Sequence, residues 1–459
     1  MEQRFIGRKK ELEALKAEYE KEAFSAAVVY GRRRVGKSFL IRNFIKNKKN
    51  IFFQASENNA SNLTELSRLI GESLFGSDGV SYTSYDDAFR AVFSYKGKEK
   101  LIFVIDELPY IARKEDRTVL SVLQRFVDQN QDNNSLMLII SGSSISYIES
   151  EVLSTEGPLY GRIPLQIELR AFTIQESIDY LNPCWSIDDK INAHVISGGI
   201  PFYLKAFKDY PNLNEALEKV LFNSLGGLFN EVKLFFSSSV RNFATYDTIL
   251  RLISKGANVN NEISDKSHMD KSNISAALNK LRILRICEQK TNILREKDKK
   301  KWIISDNFFA FYYKFVAPRQ LLIENDINID VGKMNEEISL FVSKAIEKDF
   351  LRFVLTLDPE NVLEAGYGEF ANPNTKVNEE IDLVIKYDDG TVSFGECKWK
   401  KNKIGLNALE DLKRKASIAT ACSIRKYYLL SRSGFDSEII EEAKRDKRIV
   451  LITTDEFVK

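Results

Sequence analysis

Uninterrupted apolar runs alternate with amphipathic stretches over the first two hundred residues. Residues 26–30, 101–105 and 136–140 are apolar throughout, which is typical of strands buried on both faces of a parallel sheet. Segments between them, such as 39–45, repeat their apolar positions with the period of a helix. This alternation predicts an α/β fold with a doubly wound parallel sheet, and we expect that unit to occupy residues 1–170.

The pattern then becomes helical. Residues 171–237 have helical periodicity, interrupted by a Gly-Gly-Ile-Pro break at 198–201, and predict a helical lid on the sheet. Residues 238–318 show a helix, a turn, a second helix with a polar cap and a short hairpin. That order is the layout of a winged helix.

A second α/β unit is predicted further along the chain. Residues 319–334 are mostly polar and predict a linker. Residues 335–459 predict the order α-β-β-β-α-β, which starts with one long helix from about 336 to 357 and includes strands at 381–385 and 391–395.

The junction between the first predicted strand and its helix fits the phosphate-binding pattern G-x-x-x-x-G-K-[ST] at every fixed position. Its residues are Gly31, Arg32, Arg33, Arg34, Val35, Gly36, Lys37 and Ser38, followed by Phe39. Glycines let successive backbone N–H groups point at phosphate oxygens, next to the positive end of a helix dipole. We expect Lys37 to reach the β- and γ-phosphates and the Ser38 hydroxyl to bind Mg²⁺. All of these residues are therefore predicted to line a nucleotide site.

Polar residues follow the tips of two further predicted strands. Asp106 ends a strand expected beside the loop and is predicted as the second Mg²⁺ ligand. Glu107 is placed to orient and deprotonate a water; two acids that merely cap a strand are the alternative. Ser141, together with Ser143, can sense the γ-phosphate, although such residues also form ordinary turns. Arg162 follows a tight turn and either stabilises transition-state charge or is a surface arginine.

Composition narrows the classes of function. A chain of 459 residues predicts about two to four domains. With 67 Lys and Arg against 65 Asp and Glu, the net charge is +2, so a nucleic-acid surface must be local. No apolar run approaches the ~18–20 residues that cross a bilayer. There is also no secretory signal, so we expect a cytoplasmic protein without a membrane partner. The two histidines and four widely spaced cysteines nearly exclude Ser-His-Asp hydrolysis and zinc-type sites.

The predicted hairpin of the winged helix carries a basic tip. Its charged residues are Lys290, Arg295, Lys297, Lys299, Lys300 and Lys301, against Glu296 and Asp298. A local excess of positive charge fits contact with the phosphates of DNA. A solvated lysine-rich loop, or a winged helix used only for packing between proteins, would show the same pattern.

The second α/β unit contains another group of charged residues on predicted strands. Alternation along a strand points Glu396 and Lys398 to one face and Cys397 to the other, and Asp382 on a neighbouring strand can join them. Carboxylates that hold Mg²⁺ or Mn²⁺ and a lysine that positions water are what hydrolysis of a phosphodiester needs. We therefore predict Asp382 and Glu396 as metal ligands, with Lys398 and the helical Glu347 as further catalytic residues. A charged pair facing solvent on an edge strand is the alternative.

Together these motifs resemble those of prokaryotic AAA+-type P-loop ATPases, often called archaeal ATPases, that carry a C-terminal domain of the PD-(D/E)XK nuclease superfamily. The resemblance rests on short motifs along nearly the whole chain: Phe5-Ile6-Gly7-Arg8, Gly31 to Ser38, Asp106-Glu107-Leu108-Pro109-Tyr110, Leu159-Tyr160-Gly161-Arg162, Gly198 to Leu204, and Gly395-Glu396-Cys397-Lys398-Trp399. It implies a P-loop NTPase core, a helical lid, a winged helix and a restriction-endonuclease-like domain, with ATP and Mg²⁺ as cofactors. One departure is that the nuclease signature opens with Pro-Asp, where this chain has Ile381-Asp382.

Three functions are compatible with this sequence. The leading one is an Mg²⁺-dependent ATPase coupled to metal-dependent cleavage or remodelling of DNA, which binds the winged helix and the C-terminal domain. The second is a regulatory switch, in which ATP controls homo-oligomerisation or docking and the C-terminal domain binds without cleaving. The third is a protein-remodelling ATPase that makes no contact with nucleic acid.

Overall fold

The computed structural model describes residues 5–57, 61–116, 118–237, 240, 242–295 and 300–458. These residues fall into two compact units. The first comprises residues 1–172 and 200–202, and the second comprises residues 173–199 and 203–459. Among the described residues, no helix combines the length and the apolar character that a bilayer crossing requires.

The first unit is built on a parallel sheet. Its strands are β1 (Ser25–Tyr30), β2 (Asn50–Gln54), β3 (Leu101–Asp106), β4 (Leu136–Gly142) and β5 (Leu165–Glu168). Among the described residues they lie in the order β2-β3-β4-β1-β5, and every pair is parallel. The predicted α/β unit with a parallel sheet is thereby confirmed. The observed order places β4 between β1 and β3, so that the strand ending in Asp106 is not the direct neighbour of β1.

Helices alternate with these strands along the chain. They are α1 (Lys9–Tyr19), α2 (Lys37–Ile45), α3 (Asn62–Ile70), α4 (Tyr85–Phe93), α5 (Val119–Gln129) and α6 (Ile145–Tyr147). Short π-helical turns follow at Gly71–Phe75, Tyr110–Glu115 and Ile148–Val152. Every residue of β3 and β4 is buried, which explains why both strands are apolar along their whole length rather than alternating.

The second unit begins with a helical segment and a hairpin. Its elements are α7 (Ile174–Tyr180), α8 (Ile187–Ser197), α9 (Pro201–Phe207), α10 (Leu213–Val220), α11 (Glu231–Ser237), α12 (Phe243–Ser254), α13 (Asn260–Ser267), α14 (Lys271–Ile283), β6 (Cys287–Lys290) and β7 (Lys301–Ile304). The first two residues of α9 group with the first unit. Helix α8 ends at Gly198, whose φ is +62°. Glycine adopts this left-handed conformation easily, so the Gly-Gly break is a helix stop. Strands β6 and β7 pair antiparallel.

The segment predicted as a linker is folded. It follows α15 (Asn307–Phe311), a π-helical turn at Tyr312–Val316 and a 3-10 turn at Ala317–Arg319. It contains α16 (Gln320–Glu324) and a 3-10 turn at Val331–Met334. Three of its seven apolar residues, Ile323, Val331 and Met334, are buried, and burial of these side chains stabilises the segment.

The rest of the second unit holds a mixed sheet. Its elements are α17 (Asn335–Ala345), α18 (Glu347–Leu357), β8 (Val362–Ala371), β9 (Asn378–Tyr387), β10 (Val392–Lys398), α19 (Leu406–Ala419), β11 (Ile424–Ser431), α20 (Ser437–Arg445), β12 (Ile449–Thr453) and α21 (Thr454–Phe457). Among the described residues the strand order is β12-β11-β10-β9-β8. Strands β8, β9 and β10 pair antiparallel, and β10, β11 and β12 pair parallel. The single long helix expected from about 336 to 357 is instead two helices that meet at the fully buried Ile346.

Candidate functional site

The phosphate-binding pattern forms a loop between β1 and α2. Gly31 follows the last residue of β1, Gly36 precedes the helix with a φ of +95°, and Lys37 is the first helical residue. Glycine takes up such a backbone conformation without the steric cost that a Cβ atom brings. The loop therefore ends at the N-terminus of a helix, where the backbone N–H groups and the helix dipole favour an anion.

Lys37 is buried in this loop, with only 5% of its surface exposed. Its ammonium donates to the carbonyl oxygens of Gly31 at 3.2 Å and Arg32 at 3.4 Å. Burial lowers the pKa of Lys37, and the nearby carboxylate of Glu107, with Oε1 3.8 Å from Nζ, opposes that change. The loop thus holds a cation at the place where the sequence predicts the phosphates to bind.

Asp106, at the tip of β3, is the acceptor that joins the loop to the sheet. Its Oδ2 accepts a hydrogen bond from the Ser38 hydroxyl at 2.7 Å, and its Oδ1 accepts one from the Ser141 hydroxyl. Ser141 lies at the tip of the intervening β4, so it supports the carboxylate from the side. A serine hydroxyl and a carboxylate are oxygen donors of the kind Mg²⁺ prefers. This donor set fits Mg²⁺ bound together with a nucleotide.

Glu107 has a strained backbone with a φ of +59°, which is uncommon for any residue other than glycine. Its Oε2 accepts hydrogen bonds from the backbone N–H of Ser143 at 3.0 Å and from the Ser143 hydroxyl at 2.9 Å. Strain of this kind persists where the surroundings fix it and often occurs at functional sites. The tip of β4 therefore orients both acids, one through Ser141 and one through Ser143.

Arg8 connects the N-terminal segment to the phosphate loop. In the sequence it stood out only as part of the motif Phe5-Ile6-Gly7-Arg8. It is 7% exposed, and its guanidinium donates to the carbonyl oxygens of Arg170 at 2.5 Å and Val35 at 3.5 Å. It also lies 5.0 Å from the ring centroid of Phe172. A buried arginine with two hydrogen bonds to backbone carbonyl oxygens holds the phosphate loop in place. The sequence motif that contains Arg8 did not indicate this role.

The loop also presents aromatic neighbours. Phe39, 40% exposed, stacks on Phe5 with ring centroids 5.7 Å apart. The Arg34 guanidinium lies 4.1 Å from the ring centroid of Phe202. Phe202 is the last residue of the segment 200–202, which belongs to the first unit. Flat, partly exposed rings suit a purine base, and the place of Phe39 in the nucleotide site stays a prediction.

Arg162 is held by an acidic partner. Its Nε and Nη2 donate to the two carboxylate oxygens of Asp128 at 2.6 and 3.0 Å, near the end of α5. A role for Arg162 on transition-state charge therefore requires that Asp128 first release the guanidinium.

The second group of charged residues meets on neighbouring strands of the mixed sheet. Asp382 lies on β9, and its Oδ2 accepts the backbone N–H of Cys397 at 2.9 Å. Glu396 lies on β10, and its Oε1 accepts from Lys398 at 2.6 Å and from Lys415 at 3.4 Å. The other oxygen, Oε2, is buried and has no hydrogen-bond partner among the described residues. Burying a carboxylate oxygen without a partner destabilises the folded protein unless a cation or a water molecule binds that oxygen.

The surroundings of this site disfavour the ionised form of two carboxyl groups. Burial, together with the nearby Glu396, raises the pKa of Asp382 to about 6. Burial, together with Asp382, raises the pKa of Glu347 to about 8. A divalent cation relieves both effects, so the chemistry of these donors fits Mg²⁺ or Mn²⁺. Across the described ranges, however, no three Asp, Glu, His or Cys side chains converge into a ready metal cage.

Sequence reasoning did not place three lysines near this group of charged residues: Lys344 and Lys415 were not singled out, and Lys290 was assigned to the basic hairpin tip. Lys415, on α19, approaches Glu396. Lys344 donates to Glu380 at 3.0 Å, and Lys290 lies at the end of β6. Each comes from a different element, so no spacing in the sequence could have brought them together.

The expected hairpin residues 296–299 lie outside the described residues, whereas Lys290 and Lys301 face the mixed sheet.

The strand order, the phosphate loop after β1 and the acid at the tip of β3 define a P-loop nucleotide-binding domain. Residues 5–207 match the family described as an ATPase domain predominantly from Archaea. Residues 312–413 match a family described as archaeal and bacterial proteins of unknown function. The two matches lie in different parts of the chain, the first over the parallel sheet and the second over part of the region with the mixed sheet.

Individual proteins are similar to different shares of this chain. An uncharacterized protein of Methanocaldococcus jannaschii is 29% identical over 444 residues, which cover 95% of this chain and 97% of that protein. An uncharacterized ATP-binding protein of the same organism is 47% identical over 45 residues, or 10% of this chain and 76% of that protein. The Walker-type ATPase of Pyrococcus abyssi has a TM-score of 0.52 and 19% identity, covering 68% of this chain and 96% of that one. That last likeness is one of fold.

Proposed function

We propose that this chain binds and hydrolyses ATP as an AAA+-type ATPase. The observation that carries the proposal is the join between loop and sheet, where the Ser38 hydroxyl lies 2.7 Å from Asp106 beside the buried Lys37. In this reading, Lys37 and the loop N–H groups bind the phosphates, and Ser38 and Asp106 hold Mg²⁺, which neutralises their charge. Glu107, held by Ser143, is the proposed base that takes a proton from the attacking water.

We further propose that residues 335–459 form a nuclease-like domain that cleaves DNA with Mg²⁺ or Mn²⁺. Support comes from the buried, unpartnered Oε2 of Glu396 and from the raised pKa values of Asp382 and Glu347. Asp382 and Glu396 are the proposed metal ligands, and Lys398 offsets charge at the scissile phosphate. Because the metal competes with protons for these carboxyl groups, we expect metal affinity to rise as the pH increases from 6 to 8.

The remaining modules follow in the same proposal. Residues 171–237 act as a lid, 238–318 as a winged helix and 319–334 as the connection to the nuclease-like domain. Lys290 and Lys301 are engaged by the mixed sheet, so we expect DNA to contact α14 instead, where Lys271 and Arg282 are exposed. The proposed location is the cytoplasm, which suits the free state of all four cysteines, each within the described residues.

The test uses the full chain and supercoiled plasmid with Mn²⁺, with and without ATP. Glu396→Ala should abolish nicking and leave ATP hydrolysis intact, whereas Lys37→Ala should lose ATP binding. Glu364→Ala is the matched control, because Glu364 is also a strand glutamate paired with a lysine, 3.1 Å from Lys386, but lies on β8. Equal nicking by Glu396→Ala and the unchanged protein would refute the assignment of the nuclease-like site.

A second candidate function is a nucleotide switch without cleavage. The observation that favours it is the lack of a converged three-ligand metal cage among the described residues. This candidate expects ATP hydrolysis without nicking under any metal condition. It also expects oligomers that form with ATP and not with ADP, with Arg162 released from Asp128 to act between subunits.

A further inference from the structure

The β6–β7 hairpin is seated on the edge strand of the mixed sheet. Asn292 bonds the backbone of Glu369 in both directions, with its Nδ2 2.6 Å from the carbonyl oxygen and its Oδ1 3.0 Å from the amide nitrogen. The backbone N–H of Ile293 donates to the carbonyl oxygen of Tyr367 at 3.1 Å. Ile293 is 3% exposed and belongs to the core of the sheet. The hairpin therefore covers the otherwise open edge of β8.

Two glycines of β8 make room for this contact. A Cβ atom on Gly366 would lie 2.8 Å from the side chain of Ile293, and one on Gly368 would lie 2.4 Å from that of Leu294. A side chain at either position would force the side chain of Ile293 or Leu294 to move from its place on β8. The sequence of β8 is thus adapted to hold the hairpin, which is not the free basic wing that its lysines suggest.

Seating the hairpin brings Lys290 to the carboxylate site. Its Nζ lies 3.5 Å from the ring centroid of Tyr367 on β8, a distance typical of a cation–π contact. Burial lowers the pKa of Lys290, and the surrounding carboxylates of Glu380, Glu347 and Asp382 oppose that change. Tyr367 precedes Gly368 and Glu369, which pair with Ile381 and Glu380 on β9. The ammonium over its ring is therefore held beside the strand that carries Asp382.

We propose that Lys290 is a tethered counter-cation of this site, so that seating of the hairpin and binding of a divalent cation at Asp382 and Glu396 oppose each other. The inference rests on the proposed metal site. Like charges repel at short range in a partly buried cluster. Lys344 acts on Glu347 and Asp382 as Lys290 does, whereas Lys398 and Lys415 contact Glu396 directly. Coupling between two binding events is reciprocal: the cation loosens the hairpin, and a loosened hairpin strengthens cation binding.

Binding of Mn²⁺ to the full chain without nucleotide, followed by electron paramagnetic resonance, tests the first half. The binding lost in Glu396→Ala defines the site. We expect Lys290→Met to bind Mn²⁺ about tenfold more tightly, within the range usual for such coupling. Methionine keeps the apolar stem that packs on Tyr367. Lys290→Arg is one control, because arginine keeps the positive charge. Lys301→Met is the other, because Lys301 lies opposite Lys290 on β7 but pairs with Glu369 of β8 at 2.9 Å.

Hydrogen exchange in the unchanged protein tests the second half. We expect Mn²⁺ to speed exchange of the amides in residues 287–294, and to have no such effect in Glu396→Ala. Weaker or equal binding of Mn²⁺ by Lys290→Met, or slower exchange with Mn²⁺, overturns the inference and leaves the metal site standing. If the unchanged protein binds no Mn²⁺ that depends on Glu396, the proposed metal site and this inference both fail.

Discussion

Gly31 and Gly36 belong to one motif but are needed for different physical reasons. A Cβ atom on Gly31 would lie 2.3 Å from the carbonyl oxygen of Leu169, a backbone atom fixed just after β5. A Cβ atom on Gly36 would meet no described heavy atom within 4 Å, although the φ of +95° is costly for any other residue. Gly31, whose φ is +153°, is needed for both packing and backbone conformation, whereas Gly36 is needed for backbone conformation alone.

Gly31→Ala should therefore destabilise the first unit more than Gly36→Ala. We expect a loss in the free energy of unfolding of about 3 kcal/mol at Gly31, because a backbone atom cannot move aside as a side chain would. At Gly36 we expect about 1 kcal/mol, the cost of a left-handed alanine. Urea unfolding of both variants without nucleotide measures the difference. Equal losses would show that the contact with Leu169 relaxes easily.

Much of the nucleotide site follows from local sequence, and the carboxylate site follows from it only in part. Ser38 and Asp106 could be placed together because the carboxyl ends of parallel strands share one edge of a sheet. Asp382 and Glu396 lie on paired strands, so alternation along each strand was enough. Lys415 contacts Glu396 from α19, and Lys290 lies over Tyr367 of β8. Both positions depend on tertiary packing that no local pattern encodes.

Helix α8 shows how one element is fixed to distant parts of its unit. Its residue Asp188 accepts from Arg432 Nε at 3.1 Å and Nη2 at 2.5 Å. His194 lies between Ser177 Oγ, 2.7 Å from Nδ1, and Asp349 Oδ2, 3.6 Å from Nε2. Burial alone would raise the pKa of Asp349, but the neighbouring His194 lowers it. The helix of the proposed lid is thus anchored next to α18, which carries Glu347.

A double-mutant cycle on Asp188 and Arg432 measures this anchor. Because the guanidinium pairs with both carboxylate oxygens and is largely buried, we expect a coupling energy of about 1 kcal/mol in the unfolding free energy. The matched control is the pair Glu441 and Arg445 on α20, exposed and 3.9 Å apart, for which we expect about 0.3 kcal/mol or less. Coupling no larger than in the control would mean that α8 is held by apolar packing alone.

The elements that sequence patterns misplaced fail for identifiable reasons. Residues 319–334 look like a linker because polar residues outnumber apolar ones, yet the buried Ile323 and Val331 are enough to fold it. The helix from about 336 to 357 looks continuous because its apolar period hardly changes at Ile346, where the two helices meet. A break between helices at one buried residue hardly changes the spacing of apolar positions, so the sequence pattern does not reveal it.

The whole molecule divides into two compact units, and each contains one candidate site. The division does not follow the chain simply, since residues 200–202 group with the first unit while the residues on both sides of them group with the second. Separate cores can unfold separately, and a ligand that binds one folded unit stabilises that unit by mass action.

We therefore expect two thermal transitions in calorimetry. ATP with Mg²⁺, at about one hundred times its Kd, should stabilise the first unit by about 2.7 kcal/mol, or roughly 5–10 °C for a unit of this size. Mn²⁺ alone should raise the other transition. Lys37→Ala should cancel the first shift and Glu396→Ala the second, each leaving the other in place. A single transition that responds to both ligands would instead require the units to unfold together, and ATP could then control the carboxylate site through stability alone.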